Sequence, residues 1–91
     1  MNPSTTIGMD IGDRYCQLCV LDNETGDELE QARVPTKPEA VRRWFQTRAK
    51  ARVVLEVGGH AGWISRVLSE LSHEVVVADA RNARRLMGQE H

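Results

Sequence analysis

The feature that most constrains this chain is one short apolar stretch near its start, Thr6-Ile7-Gly8-Met9-Asp10-Ile11-Gly12. Such a run, bounded by Pro3 and Gly12, is typical of a buried strand. Side chains alternate along a strand, so Gly8 and Asp10 share one face and the larger apolar side chains share the other. An ionised carboxylate in this setting is costly unless something compensates it. The neighbouring glycine leaves room for a ligand such as a metal ion, and a hydrogen-bonded structural aspartate fits this stretch equally well.

Length and composition set broad limits. The chain has 91 residues, is 41% hydrophobic and has a formal net charge of -1. These values fit one small domain or part of one. The overall charge does not indicate a nucleic-acid-binding protein, but basic residues cluster over 42–52 and 81–85. Such clusters are either solvated helix faces or nucleic-acid contacts.

No signal-peptide pattern and no apolar run near the roughly 20 residues of a membrane span is present in the sequence. We therefore expect a cytoplasmic protein without a membrane partner. Cys16 and Cys19 form a C-x-x-C pattern, which is typical of zinc or redox sites. Here the pattern falls in a predicted strand, where residues three apart point to opposite faces. We therefore interpret both as free cysteines.

The first third of the chain predicts an antiparallel meander. Its strands are expected over 5–11, 14–21 and 27–34, joined by a turn at Gly12-Asp13 and a hairpin loop over 22–26. The third strand is polar, which favours an edge position or one exposed face.

A helix is predicted next. Thr36 is expected to cap it, with Glu39 completing a capping box. Trp44 and Phe45 follow at helical spacing and are interpreted as the residues that pack this helix on the sheet. The alternative for these two aromatic side chains is base stacking.

The remaining sequence predicts two parallel strands and a second helix. The fourth strand, over 52–57, should pair with the first in a right-handed crossover. The glycine-rich loop over 58–62 is a weak phosphate-binding pattern, and its His60 is interpreted as a loop histidine rather than a ligand. The fifth strand, over 74–78, is so apolar that we expect it to be internal. Asp79 is expected to cap a last helical turn.

The first and fourth strands each carry one acidic residue among apolar neighbours, Asp10 and Glu56. Adjacent strands lie about 4.8 Å apart, so the two carboxylates could face each other. A divalent cation would relieve their repulsion, and hard oxygen ligands suit Mg²⁺ or Mn²⁺. Such ions can activate water and stabilise a leaving phosphodiester oxygen. The alternative is that the registers differ and each acid has a local partner.

Three stretches, residues 7–12, 54–63 and 68–81, resemble the ribonuclease H-like superfamily. More narrowly, the chain resembles the N-terminal part of the RuvC-like DEDD domain of insertion sequence 110 family transposases, which are RNA-guided recombinases. The resemblance implies an α/β mixed sheet in the order β-β-β-α-β-α-β, truncated before the final helices, with residues 1–91 as a single partial domain. It matches Asp10 and Glu56 to the family's first two acidic residues, which are catalytic and bind Mg²⁺ or Mn²⁺ during DNA cleavage and strand exchange.

The same resemblance implies DNA and a structured guide RNA as partners of the full-length protein, in the bacterial or archaeal nucleoid. The chain departs from the family at residues 88–91, since the third and fourth acids and the domain with the nucleophilic serine do not follow. We therefore expect an inactive fragment whose uncovered sheet face is apolar and drives homo-oligomerisation.

Arginine forks match phosphate geometry. The candidate nucleic-acid contacts, which solvated faces explain equally well, are Arg42, Arg43, Arg81, Arg84 and Arg85.

Two other classes of protein fit parts of the sequence. An actin-like ATPase or sugar-kinase fragment would use Asp10, Gly12 and the Gly58-Gly59 loop to bind ATP with Mg²⁺. Glu56 and the loop that follows it suit the transposase pattern better, and the chain is too short for two lobes. A non-catalytic interaction module with a vestigial site is the third class.

Overall fold

The computed structural model describes residues 2–87, which form five strands and three helices. In chain order these are β1 (Thr5–Ile11), β2 (Tyr15–Asp22), β3 (Glu28–Pro35), α1 (Pro38–Gln46), β4 (Arg52–Glu56), α2 (Ala61–Glu70), β5 (Glu74–Ala78) and α3 (Ala80–Leu86). The end of the chain at 88–91, where the family pattern was expected to break off, lies outside the described residues.

The strands form one mixed sheet in the order β3-β2-β1-β4-β5. The first three strands pair antiparallel, and β4 and β5 join them in parallel. This is ribonuclease H-like topology, as the sequence predicted. The crossover from the meander to β4 runs through α1, which places the first and fourth strands side by side at the centre of the sheet.

The hydrophobic core lies between one face of the sheet and the helices α1 and α2. Its largest fully buried side chains are Phe45, Ile7, Leu55, Ile64, Leu68, Val41, Val53 and Cys16. Each large aliphatic or aromatic side chain buried in this way contributes about 1.5–3 kcal/mol of transfer free energy. The prediction that Phe45 packs α1 on the sheet is confirmed. Trp44 packs partly against the core, and the Arg48 guanidinium lies 3.6 Å from its ring centre.

The opposite face of the sheet, called the open face below, carries Gly8 and Asp10 on β1 and Val54 and Glu56 on β4. Helix α3 covers the β4–β5 part of it, so that Val54 is only 2% exposed. Over β2 and β3 this face carries Gln17, Gln31 and Arg33, and also the 45% exposed Tyr15, whose ring the Arg33 guanidinium covers at 4.3 Å. That the face is apolar enough to drive homo-oligomerisation stays a prediction.

Strand β5 is at the edge of the sheet, so the expectation of an internal strand was wrong. Val77 is 45% exposed, although the strand is almost wholly apolar. The apolar residues of β5 pack against α2 on one face and α3 on the other, rather than between two strands. Burial by helices and burial by strands leave the same pattern in the sequence.

The predicted capping box at the start of α1 was also wrong. Lys37 is the N-cap, and no side chain there bonds to the first turn. The Thr36 hydroxyl instead donates to the Gly12 carbonyl at 2.7 Å and lies 3.4 Å from the Cys16 sulfur. Thr36 thus fastens the β1–β2 turn to the end of β3. Asp79 does cap α3, since its carboxylate accepts a hydrogen bond from the Asn82 backbone at 2.9 Å.

The two cysteines point to opposite faces, as predicted. Cys16 is buried in the core and Cys19 lies half-buried on the open face, and both are free. In the part of the chain that the structure describes, none of the helices is sufficiently long and apolar to span a membrane.

Candidate active site

Asp10 and Glu56 come together at the carboxyl ends of two adjacent parallel strands. The register pairs Gly8 with Val54 and Met9 with Leu55, so one further step places Asp10 opposite Glu56. Both side chains are exposed, and both line the same cavity on the open face, of about 290 Å³. The alternative in which the two registers differ is therefore excluded. Whether the two acids bind metal stays a prediction.

The cavity combines acidic, amide and cationic groups over an apolar floor. Gly8 and Val54 form part of the floor beside the two acids. The walls are formed on one side by Gln17, Cys19 and Gln31 and on the other by Ala83, Arg84 and Met87. Carboxylate oxygens, a guanidinium and amide groups are the donors and acceptors that a phosphate with a bound cation requires.

The space above Gly8 is occupied by a side chain of this chain. A Cβ atom at Gly8 would lie 2.7 Å from Cε and 3.1 Å from Sδ of Met87. We expected the glycine to leave room for a ligand beside Asp10, but the room is used by the thioether of Met87. The glycine therefore allows the end of α3 to approach β1, and the cavity opens to one side of this contact.

The donor set fits a Mg²⁺ ion that keeps much of its hydration shell. Within residues 2–87 there is no group of three or more His, Cys, Asp or Glu side chains that could hold a metal ion. Mg²⁺ commonly binds through one or two carboxylates and takes its other ligands from water and substrate phosphates. Asp10 and Glu56 could supply those two carboxylates, but they do not form a closed all-protein cage.

Both thiols have a raised pKa. Burial raises the pKa of Cys16, and the charge of Asp10 adds to the rise, while a hydrogen bond with Thr36 opposes it. Burial and the hydrogen bond to Glu28 raise the pKa of Cys19 to about 11. Since the thiolate is the reactive form, the raised pKa values keep both cysteines mainly protonated at neutral pH.

A second, smaller cavity of about 90 Å³ shares both acids with the first. The loop after β4 completes it with Gly58, Gly59 and His60. The Trp63 indole N–H donates to Nδ1 of His60 at 3.0 Å. His60 was interpreted as a loop histidine rather than a ligand, and the structure places it beside the two acids. The sequence carried a usable signal, because His60 follows the strand that carries Glu56 and stands three residues before Trp63 of α2, whose N-cap it is.

The five candidate arginines do not form one surface. Arg84 lines the cavity with the acids, and Arg81 and Arg85 are exposed on the same helix, α3. Arg42 and Arg43 lie on α1, which packs on the other face of the sheet. Arg42 forms an ion pair with Glu70 of α2, which gives it a structural partner. Of the five candidates, Arg84 is the one that lines the cavity with the acids, and a nucleic-acid role for any of them stays a prediction.

Fold and site together define an α/β domain of ribonuclease H-like topology with an acidic pair at its central strands. No model of a known protein family and no curated protein matches the chain in sequence. The class is therefore assigned from strand order and direction.

Proposed function

We propose that this chain is the N-terminal part of the RuvC-like DEDD domain of a DNA transposase of the insertion sequence 110 family. In this proposal Asp10 and Glu56 bind Mg²⁺ or Mn²⁺ and contribute to the cleavage and exchange of DNA strands, with DNA and a guide RNA as partners of the parent protein. The observation that carries the proposal is the placement of the two acids at the same level of β1 and β4, on one face and in one cavity.

The residues of the site fit distinct parts of this chemistry. Asp10 and Glu56 would hold the cation from two rigid neighbouring strands, which fixes the distance between their Cα atoms. A bound Mg²⁺ supplies Lewis-acid stabilisation of phosphodiester oxygens and a more acidic bound water. Arg84, at the edge of the same cavity, would neutralise an adjacent phosphate. The Cβ positions of Gly58 and Gly59 meet open space, so a nucleic-acid backbone could approach the loop closely.

A proton–nitrogen NMR spectrum titrated with Mn²⁺ tests the proposal. We expect selective broadening of amides around residues 9–11 and 55–58, because the paramagnetic ion acts over short distances. Asp10→Asn and Glu56→Gln should each abolish that local broadening. Glu24→Gln is the matched control, since Glu24 is an exposed acid in the β2–β3 loop, at the opposite end of β1.

Two outcomes of these titrations would contradict the proposal. Broadening confined to the acidic stretch over 22–30 would mean that Mn²⁺ binds only surface carboxylates. Shifts around Gly12 and the 58–62 loop on adding ATP without metal would support the actin-like ATPase alternative instead.

A further inference from the structure

His60 lies on the loop that follows β4, four residues after Glu56. It lines the smaller cavity together with Asp10 and Glu56. Its side chain is 39% exposed, so solvent reaches part of the ring. The ring is thus a constituent of the same site rather than a distant surface group.

A hydrogen bond defines the tautomer of this histidine. The Trp63 indole N–H donates to His60 Nδ1 at 3.0 Å, and the two rings meet edge to face at 89°. An indole nitrogen can only donate, so Nδ1 must present its lone pair. The neutral ring therefore carries its proton on Nε2. Trp63 is held in turn by packing against the core, which makes the orientation a property of α2.

Among residues 2–87, the Nε2–H group has no partner at hydrogen-bonding distance. Its nearest carboxylate is that of Asp13, 3.7 Å away, which exceeds hydrogen-bonding distance. Asp13 is fully exposed and lies in the β1–β2 turn. The donor is therefore available to an acceptor that enters the site from solvent.

We propose that His60 contacts the substrate, donating its Nε2–H to a non-bridging oxygen of the phosphodiester held at Asp10 and Glu56. The inference rests on the function proposed above and adds a phosphate-contacting residue to that site. Since Trp63 occupies the Nδ1 lone pair, His60 acts as a hydrogen-bond donor and not as a proton acceptor. Hydrogen bonds to charged acceptors are among the stronger ones, so the contact should matter for affinity.

The test measures binding of a short fluorescein-labelled single-stranded DNA by fluorescence polarisation, with Ca²⁺ replacing Mg²⁺ to limit cleavage. His60→Ala should weaken binding about tenfold. His60→Gln keeps an N–H donor of similar reach and should stay within about twofold of the wild type. Ser69→Ala changes an exposed residue of the same helix and serves as the control for effects on α2.

Histidine nitrogen NMR gives a readout that a merely structural role would not change. The wild-type spectrum should show the Nε2–H tautomer, and the Nε2 resonance should shift when the DNA is added. Trp63→Phe keeps an aromatic ring but removes the donor to Nδ1, so it should weaken this tautomeric preference and lower DNA affinity by less than His60→Ala does.

The outcomes separate the two proposals. A wild-type protein that binds neither Mn²⁺ at the acids nor DNA overturns both. A wild type that binds both, with His60→Ala binding DNA equally well, overturns only the role of His60. An Nδ1–H tautomer in the wild type, or a His60→Gln variant as weak as His60→Ala, also overturns that role.

Discussion

Asp10 and Glu56 lie side by side on the two central strands of the sheet, one residue beyond the paired Met9 and Leu55. Their side chains share the open face and line one cavity. Neighbouring strands are about 4.8 Å apart, so two carboxylates at this spacing repel each other when no cation lies between them. On the proposed function, a cation bound between the two acids would offset this repulsion.

Asp10→Asn should therefore stabilise the protein when metal is absent. Two unit charges about 4 Å apart in water interact by about 1 kcal/mol, so a gain of roughly 0.5 kcal/mol in the free energy of unfolding is expected for this exposed pair. Adding Mg²⁺ should raise the stability of the wild type but not that of the variant. Urea denaturation with EDTA and then with Mg²⁺ measures both effects.

Asp13→Asn is the matched control for this experiment, because it removes an exposed carboxylate from the adjoining turn and should change stability little. If Asp10→Asn lowered stability in EDTA, Asp10 would have a favourable partner in the fold. The result would then support the alternative that Asp10 is a hydrogen-bonded structural aspartate.

Gly8 and Met87 define a second prediction, on the attachment of α3. A Cβ atom at Gly8 would meet Cε of Met87 at 2.7 Å, so Gly8→Ala must displace the thioether. The end of a methionine side chain moves readily, and alanine restricts the unfolded chain, so global stability should change by less than about 1 kcal/mol. Hydrogen exchange of the α3 amides should accelerate, since α3 has no buried residue of its own.

Met87→Ala in the Gly8→Ala background supplies the control. With the thioether removed, the added methyl group should no longer change exchange in α3 beyond the effect of Met87→Ala alone. Unchanged exchange in the single variant Gly8→Ala would show that Met87 does not anchor the helix through this contact.

Most of the fold could be predicted because local patterns and topology rules agree. Alternation along β1 places Asp10 opposite to the core, and the parallel crossover through α1 makes β4 its neighbour. Those two rules are sufficient to place Glu56 beside Asp10. The Asp79 cap was predictable for the same reason, since it depends on residues three apart.

The errors arise where distant residues decide the structure. The apolar composition of β5 does not reveal whether helices or strands bury it. Thr36 has a capping sequence, but the N-cap is Lys37, and the Thr36 hydroxyl donates to the Gly12 carbonyl, 24 residues away. The filling of the space above Gly8 by Met87 depends on where α3 docks. None of these contacts leaves a periodic signal in the sequence.

His73 gives a third prediction, on stability. It is 5% exposed; Nδ1 accepts from the Ala51 backbone N–H at 3.1 Å, and Nε2 lies 3.2 Å from the Phe45 carbonyl, to which it donates. His73→Phe would keep an aromatic ring against Phe45 but leave the buried Ala51 N–H unpaired, while the Phe45 carbonyl keeps its hydrogen bond from the Arg48 N–H. We expect a loss of about 1–3 kcal/mol in the free energy of unfolding, measured in urea.

His73→Gln can restore one of these hydrogen bonds and should recover part of the loss. The half-exposed His60, changed to glutamine, is the comparison and should cost much less. A His73→Phe variant as stable as the wild type would mean that water or a backbone shift satisfies the Ala51 N–H.

Cys19 gives the last prediction, on reactivity and pH. Burial, followed by the hydrogen bond to Glu28 and its charge, raises the Cys19 pKa to about 11. Alkylation by iodoacetamide should therefore be slow at pH 8 and accelerate toward pH 11, as the thiolate forms. The raised pKa also means that the protonated thiol stabilises the fold below the unfolded pKa of about 8.5, and that this contribution is lost as pH rises through 11.

Glu28→Gln should lower the Cys19 pKa and speed alkylation at pH 8 only partly, because burial remains. Mass spectrometry separates Cys19 from the buried Cys16, which should stay unmodified in the native protein. Alkylation of Cys19 at pH 8 as fast as in urea would contradict the raised pKa.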